Sequence, residues 1–300
     1  MKHLLTALSL TLAFISPLAL AQTPATFTIG SMQVEMLVDD AGEGDTSILL
    51  NTTPEMLKEY IPTGKYDTVV ASTLIRDSER AILIDTGLGK KLLQHLQERN
   101  IDPQEVEIIL ITHMHFDHIN GLMHEGKALF PNAQLYISEP ELAYWTDNAN
   151  IAKFPQKYQE TMTKFFKNSQ DILAAYEGKI IPFAPGELTE NGKELLPGIN
   201  AIAAYGHTPG HTVFMLHNQD SKLLVLADTL HVGVIQYPRP EVSVTYDIDP
   251  EQAAQTRRTL FDFAATNNIP VTGMHQPKPV FGLIKPHAKE KDGYTLEPLK

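Results

Sequence analysis

The chain has 300 residues, a formal net charge of −12 at pH 7 and no cysteine. The absence of cysteine excludes disulfides, thiolate metal ligands and a lipid anchor attached through a cysteine. The acidic balance argues against nucleic acid as a partner, because a surface of this sign repels a phosphate backbone.

The first 21 residues have the pattern of a secretory signal peptide. Lys2 precedes an apolar stretch from Leu4 to Ile15, and the Ala-Leu-Ala sequence at 19–21 is typical of a cleavage site. No later stretch approaches the roughly 18 consecutive apolar residues of a membrane span. We therefore predict a secreted, periplasmic protein whose mature part, residues 22–300, is one domain.

Short apolar segments bounded by turn residues predict strands in the first half of the mature chain. They are Phe27–Ile29, Gln33–Val38, Thr68–Ile75, Ala81–Ile84 and the unbroken apolar run Ile108–Ile111. Segments with a helical pattern of apolar residues accompany them at Lys90–Arg99, Pro140–Trp145 and Gln156–Tyr176.

The second half repeats this order of strands followed by a helix. Its predicted strands are Ile180–Phe183, Ala201–Ala204, Thr212–Leu216 and Leu223–Ala227, and its predicted helix is Pro250–Asn267. A repeated scheme of this kind predicts an α/β fold with two sheets packed together and helices outside them.

Three imidazoles and a carboxylate follow the predicted strand Ile108–Ile111 within residues 113–118. They belong to His113, His115, Asp117 and His118. Imidazole and carboxylate are the groups that hold zinc and similar cations, and four of them in one turn can serve two ions. The spacing therefore predicts a metal site at the carboxyl end of this strand.

Further candidate ligands or ligand supports stand at the ends of other predicted strands. Asp85 follows Ala81–Ile84, while His207 and His211 lie in a glycine-rich turn after Ala201–Ala204; Asp228 and His275 each follow a later apolar run. Ligands of such sheets cluster beyond the carboxyl ends of the strands. We therefore expect these side chains to meet the 113–118 motif.

The motif and its neighbours resemble the metallo-β-lactamase superfamily over essentially the whole mature chain. Within it, the runs ITHMHFDHINGL, FPNAQLYIS and GHTPGHT are most similar to the group that contains methyl parathion hydrolase and the related lactonases. The resemblance implies a four-layer αβ/βα sandwich with a metal site where its two halves meet.

The resemblance also implies a role for each candidate ligand. One metal would be held by His113, His115 and His207, the other by Asp117, His118 and His275, with Asp228 bridging the two. Asp117 and Asp228 are the candidate catalytic carboxylates, although Asp117 is first a ligand. Asp85 would support the ligands from behind. His211 follows the tight turn at Pro209-Gly210, and we expect it to have a structural or supporting role, with a ligand role as the alternative.

Three further residues are candidates for the substrate pocket. In the resembled hydrolases, aromatic side chains near the positions of Trp145 and Phe166 line the leaving-group pocket, whereas helix packing is the alternative reading of the same pattern. His231, three residues after Asp228, stands where those enzymes have an apolar side chain. We expect it at the pocket mouth, where it favours a lactone or carboxylic ester over a bulky aryl phosphotriester.

These features predict an exported hydrolase that uses two divalent metal ions per chain, zinc first among them, and acts on a small-molecule lactone or ester. Promiscuous phosphotriesterase activity and a homodimer stay open. The alternatives are an organophosphate hydrolase of the methyl parathion type, a glyoxalase II-like thioesterase, a β-lactamase, and a periplasmic metal-binding protein without activity.

Overall fold

The computed structural model describes residues 25–77, 80–189 and 193–299, so the predicted signal peptide at 1–21 lies outside the described residues. The helices are α1 (Pro54–Tyr60), α2 (Leu92–Glu98), α3 (Phe116–Ile119), α4 (Glu139–Thr146), α5 (Gln156–Ala175), α6 (Gly233–Gln236) and α7 (Pro250–Thr266). Within these described ranges, no helix has the length and apolar character needed to cross a membrane.

The first ten strands are β1 (Thr26–Ile29), β2 (Met32–Asp45), β3 (Leu49–Leu50), β4 (Lys65–Arg76), β5 (Ala81–Ile84), β6 (Ile108–Leu110), β7 (Met123–His124), β8 (Lys127–Ala128), β9 (Gln134–Ser138) and β10 (Ile180–Phe183). The remaining strands are β11 (Glu194–Leu196), β12 (Ile199–Ala203), β13 (Thr212–Asn218), β14 (Ser221–Val225), β15 (Ser243–Val244), β16 (Pro270–Thr272), β17 (Gly282–Pro286) and β18 (Tyr294–Pro298).

Two seven-stranded sheets form the centre of the protein. The first has the order β1-β2-β4-β5-β6-β9-β10, and the second has the order β11-β12-β13-β14-β16-β17-β18. In the first, β5, β6, β9 and β10 run parallel to one another. In the second, β14 and β16 are parallel. The carboxyl ends of these strands therefore meet along one edge of each sheet.

Alternating side chains show how the layers pack. Ile82 and Ile84 of β5 lie in a core between the two sheets, whereas Leu83 lies in a second core under α2, α4 and α5. On β13, Phe214 joins the core between the sheets, and Met215 joins a third core under α7. Because successive strand residues point to opposite faces, each sheet is covered on both sides. The predicted four-layer α/β sandwich is confirmed.

The structure extends and adds to the predicted elements. Strand β2 and strand β4 continue seven and three residues beyond their predicted ends at Val38 and Thr68, because their backbones stay paired along a long antiparallel hairpin. Helix α1, strand β9 and the last two strands, β17 and β18, were not predicted. Strand β17 has no clear period-two pattern, because Lys285 and Pro286 interrupt its apolar residues.

Candidate metal centre

The 113–118 motif occupies the turn after β6 and the first residues of α3. Asp85, at the end of the neighbouring strand β5, anchors the start of this turn: its Oδ1 atom accepts a hydrogen bond from the Thr112 N–H (2.8 Å), and its Oδ2 atom accepts one from the Thr112 hydroxyl (2.7 Å). Asp85 has a φ of 57° and Ala227, which precedes Asp228, has a φ of 45°. Left-handed backbone at non-glycine residues costs about 1–2 kcal/mol and concentrates at functional sites.

Three of the predicted ligands form a tight group of ring nitrogens. His113 Nε2 lies 3.0 Å from His115 Nδ1 and 3.2 Å from His207 Nε2, while His207 Nε2 lies 2.9 Å from His115 Nδ1. Ligands about 2.0–2.1 Å from a tetrahedral ion are themselves about 3.3 Å apart. These three nitrogens therefore have the spacing of ligands around one cation, which we call the first metal position.

A second group lies beside the first. His118 Nε2 is 3.8 Å and His275 Nε2 is 3.6 Å from Asp117 Oδ2. All three atoms lie within 4.8 Å of one another, close enough to converge on one ion. We call this group the second metal position.

Asp228 connects the two positions. Its Oδ1 atom lies 3.0 Å from His118 Nε2, whereas its Oδ2 atom lies 3.3 Å from His207 Nε2 and 3.3 Å from His275 Nε2. One carboxylate thus faces both groups of imidazoles, which is the arrangement of a bridging ligand in a two-metal site.

The buried atoms of the cluster fit metal ions. His118 Nε2, His275 Nε2 and Asp228 Oδ1 are buried, and the contacts of 3.0 and 3.3 Å between these rings and the carboxylate are not aligned as hydrogen bonds. Leaving a buried polar atom without a partner costs about 1–3 kcal/mol, and a bound cation would supply that partner. The donor set of imidazole nitrogens and carboxylate oxygens, with no thiolate, fits a dinuclear site for divalent ions.

In four of the candidate ligands the Nδ1 atom, which is not the proposed ligand atom, has a hydrogen-bonding partner that orients the imidazole. His118 Nδ1 lies 2.7 Å from Asp85 Oδ2, and His207 Nδ1 lies 2.8 Å from Asp247 Oδ1. The supports of His113 and His275 are the Thr112 hydroxyl (3.0 Å) and the Val69 carbonyl oxygen (2.8 Å).

The pKa shifts reflect burial and the shared carboxylate. Burial would raise the pKa of Asp228, but the imidazoles of His118, His275 and His231 stabilise its anion and hold that pKa well below its usual value. Burial lowers the pKa of His113 and His115 well below the ordinary histidine value. These two rings are therefore neutral, as metal ligands must be.

His211 supports the cluster through the backbone. Its Nδ1 atom lies 2.9 Å from the carbonyl oxygen of Ala204, and its Nε2 atom accepts a hydrogen bond from the Asp228 N–H (3.1 Å). Burial lowers the pKa of His211 to about 3, so the ring is neutral and can accept this bond. His211 thus lies behind the bridging carboxylate and outside the two ligand groups.

His231 lies deeper than the pocket mouth where the sequence places it. Its side chain is 9% exposed, and its Nε2 atom lies 3.0 Å from Asp228 Oδ2. Its ring stacks on that of His275 at a centroid distance of 5.0 Å and an angle of 15°. His231, His275 and Asp228 form a further group with ligand spacing.

Trp145 and Phe166 do not line an open pocket. Both are 0% exposed and lie in the core under α4 and α5, with their ring centroids 4.8 Å apart. The Trp145 ring meets the His115 ring edge-on at 5.6 Å, so it backs the ligand turn from inside. The sequence resemblance placed both rings next to the substrate. In the structure they pack in the core instead, because the apolar face of α5 is turned toward the sheet.

Other aromatic side chains form an exposed rim. Phe116, between the ligands His115 and Asp117, is 40% exposed and packs against Phe165 at 5.2 Å. Tyr246 is 53% exposed, and its ring centroid lies 6.4 Å from that of His231. A substrate that approaches the cluster would meet these apolar surfaces.

Two buried carboxylates beside the cluster were missed by sequence reasoning. Asp247 supports His207, and Glu141 accepts hydrogen bonds from both the 113–118 turn and the 206–211 turn. Asp247 lies in a loop and Glu141 in the first turn of α4, where acidic residues are common at helix N-termini for other reasons. Neither position carries a local signal of its role.

Comparisons with known proteins point to one superfamily. Residues 66–267 match the family model of the metallo-beta-lactamase superfamily. A solved structure of AidC, a dizinc quorum-quenching lactonase in complex with an N-acyl homoserine product, is similar with a TM-score of 0.82 at 27% identity, covering 92% of this chain and 97% of that one. The crystal structure of the hydrolase AbOPH is similar with a TM-score of 0.81, the same identity and the same coverage.

Curated sequence relatives are more distant. The human acyl-coenzyme A thioesterase MBLAC2 is 24% identical over 176 residues, covering 53% of this chain and 58% of that protein. The N-acyl homoserine lactonase of Bacillus cereus is 24% identical over 179 residues, covering 51% and 60%. The chain therefore spans less than two thirds of the length of these relatives.

Proposed function

Because the chain belongs to the metallo-β-lactamase superfamily, we propose that it is a dinuclear-metal hydrolase that opens lactones or cleaves carboxylic esters. The observation that carries this proposal is the position of Asp228 between two groups of candidate ligands, with one oxygen 3.0 Å from His118 Nε2 and the other 3.3 Å from His207 Nε2. A single structural ion needs four ligands and no shared carboxylate, whereas this cluster offers seven.

His113, His115 and His207 would hold one ion, Asp117, His118 and His275 would hold the other, and Asp228 would bind both. When bound, two such ions supply an activated water and a Lewis acid near neutral pH. Zinc is our first candidate, since imidazole and carboxylate suit it and the similar lactonase AidC is described as dizinc.

The chain's own residues then hold the ligands and manage protons. Asp85 and Asp247 keep the Nδ1 atoms of His118 and His207 hydrogen-bonded, so that their Nε2 atoms face the ions. Asp117 is first a ligand through its Oδ2 atom, and because its side chain is more exposed than that of Asp228 we assign to it a secondary role in passing a proton to the leaving group through its other oxygen.

The rim supports an acyl substrate without a large negative charge. Phe116 and Tyr246 offer apolar surface next to the cluster, and a whole apolar side chain that becomes buried contributes about 1.5–3 kcal/mol. The net charge of −12 disfavours polyanionic substrates. We therefore propose a lactone with an apolar acyl chain as the preferred substrate, in line with the lactonases that the chain is similar to.

A thioesterase is the second candidate, since an acyl-coenzyme A thioesterase is among the relatives. Hydrolysis of a thioester would use the same candidate metal ligands. Coenzyme A, however, carries phosphates that the acidic surface of this protein repels. We also propose, from the leader-like residues 1–21, that the protein acts after export to the periplasm.

Metal-quantified mature protein assayed on lactones, esters, thioesters and phosphotriesters tests the proposal. We expect two ions per chain and the highest kcat/KM on a lactone or carboxylic ester. No more than one equivalent of metal after reconstitution would contradict the dinuclear site. Two tightly bound ions without turnover on any substrate would favour the metal-binding protein instead.

A further inference from the structure

The carboxylate of Glu141 is fully buried beside the metal cluster and accepts four hydrogen bonds. Its Oε1 atom accepts from the Met114 N–H (2.9 Å) and from the Trp145 indole N–H (2.6 Å). Its Oε2 atom accepts from the Gly210 N–H (3.0 Å) and from the Thr208 hydroxyl (2.6 Å). Each oxygen therefore serves a different part of the chain.

Both parts carry ligands of the first metal position. Met114 lies between His113 and His115, and its carbonyl oxygen accepts a hydrogen bond from the Ser169 hydroxyl of α5 (3.3 Å). The N–H and C=O of this one residue are thus held by α4 and α5 respectively. Thr208 directly follows His207, so the second oxygen of Glu141 holds the turn that presents the third ligand.

The 206–211 turn is pressed against the start of α4. The Ser138 hydroxyl donates a hydrogen bond to the Gly210 carbonyl oxygen (2.7 Å). A Cβ atom on Gly210 would lie 2.2 Å from the Glu141 backbone nitrogen, so only glycine allows this approach. The two turns are therefore linked through the Glu141 carboxylate and the start of α4, in addition to a backbone hydrogen bond from the Thr212 N–H to the Thr112 carbonyl oxygen (2.9 Å).

We propose that Glu141 is a positioning residue that sets the spacing between the turn of His113 and His115 and the turn of His207, and with it the affinity of the first metal position. The proposal rests on the proposed function, because it takes these imidazoles as metal ligands. Their nitrogens lie 2.9–3.2 Å apart although His207 is 94 residues from His113. Some contact between the turns must maintain that spacing.

A carboxylate suits this position because three of its four partners are N–H groups that only donate, and the Thr208 hydroxyl donates as well. Glutamine has one accepting oxygen and an amide group that only donates. If the amide group of Glu141→Gln faces the Met114 and Trp145 N–H groups, two hydrogen bonds are lost. If it faces the other side, the bond from the Gly210 N–H is lost while the Thr208 hydroxyl can turn to accept from the amide. Either orientation loosens the hold on one of the two turns.

The test is a zinc competition titration of the mature protein against a chromophoric chelator, together with the visible spectrum of the cobalt-substituted form. In Glu141→Gln we expect one of the two ions to bind roughly 10- to 100-fold more weakly, as on loss of a residue that supports a metal ligand. We expect the affinity for the other ion to stay within a few-fold of its wild-type value. The cobalt spectrum should change for one of the two ions.

Glu35→Gln is the matched control. Glu35 is also a buried glutamate, but its oxygens bind Arg76 (2.7 Å) and Arg99 (2.8 Å) and hold no ligand turn. We expect a lower melting temperature of the metal-free protein and unchanged affinity for both ions. If Glu141→Gln behaves in the same way, Glu141 has a purely structural role and the proposal is overturned.

Two milder variants decide the question if Glu141→Gln does not fold. Thr208→Val removes one hydrogen bond to Oε2, and Trp145→Phe removes one to Oε1. We expect each to weaken the same ion to a smaller extent, and unchanged affinities in both would overturn the proposal. A wild-type chain with fewer than two ions would contradict the proposed function, whereas two tight ions in wild type and in Glu141→Gln would contradict only the role of Glu141.

Discussion

The Asp247 Oδ1 atom lies 2.8 Å from the Nδ1 atom of His207, inside the protein and 40 residues further along the chain. The other oxygen of Asp247 accepts a hydrogen bond from the Val244 N–H (3.0 Å), which keeps the carboxylate in place. Burial disfavours a charged imidazole, yet the hydrogen bonds to Asp228 and Asp247 outweigh it and raise the pKa of His207 to about 9. The same two carboxylates would stabilise a metal cation at this ring in place of the proton, which must leave before the ring can act as a ligand.

Replacing Asp247 with asparagine should weaken metal binding at the first position. The side-chain oxygen of asparagine can still accept a hydrogen bond from His207, but the negative charge of Asp247 is lost. We therefore expect the affinity for the metal ion to fall roughly 10- to 100-fold. Isothermal titration with zinc measures the change. Asp249→Asn is the control: Asp249 caps α7 by accepting from the Gln252 N–H (3.0 Å), so it should cost about 1 kcal/mol of stability or less with metal affinity unchanged.

Replacing Asp228 with alanine should abolish hydrolysis while the fold persists. The carboxylate faces both ligand groups, so its loss separates the two ions and removes charge that offsets theirs. Circular dichroism should show the wild-type spectrum while turnover is lost. Asp220→Ala, an exposed aspartate at the β13–β14 turn, should keep full activity. A folded, metal-depleted Asp228→Ala variant with wild-type turnover would remove Asp228 from the mechanism.

Replacing His231 with leucine should shift substrate preference toward aryl phosphotriesters. A buried imidazole can hydrogen-bond a lactone oxygen, which contributes about 0.5–1.5 kcal/mol, whereas leucine offers apolar contact worth about 1.5–3 kcal/mol. The ratio of kcat/KM for a lactone to that for a phosphotriester should therefore fall roughly 10- to 100-fold. Steady-state kinetics on both substrates, with metal content measured, checks this.

The control for that change is His217→Leu. His217 lies on β13 with its Nε2 atom 3.1 Å from Asn200 Oδ1, so we expect no effect on the ratio. A rise in the ratio for His231→Leu, or no change at unaltered metal content, would show that His231 does not set specificity.

Replacing Phe166 with alanine should destabilise the protein by about 3–5 kcal/mol, because the ring is fully buried against Trp145. Urea denaturation of the metal-loaded protein measures this free energy of unfolding. Tyr158→Ala, on the same helix but 49% exposed, should change it by less than about 0.5 kcal/mol. If the two variants are equally stable, Phe166 is not part of the core.

The sequence alone determined the fold class and most of the ligand cluster. The order of residues along short segments is sufficient for this. Apolar alternation predicts the strands, and the candidate ligands within residues 113–118 lie at the same end of the sheet because they directly follow β6. Asp85 follows β5, which is parallel to β6 in the first sheet, and Asp228 and His275 follow β14 and β16, which are parallel in the second. Within each sheet these residues therefore lie at the carboxyl ends of parallel strands, where ligands are expected. The superfamily and the four layers are confirmed.

Only the tertiary structure decided which side chains support the ligands and which face the substrate. Glu141 meets Gly210 across 69 residues and Asp247 meets His207 across 40, and no local periodicity records such contacts. The depth of His231 and the burial of Trp145 depend in the same way on how turns and helices pack over the sheets. A helical pattern indicates that a face is apolar, but the packing of the layers determines what that face contacts.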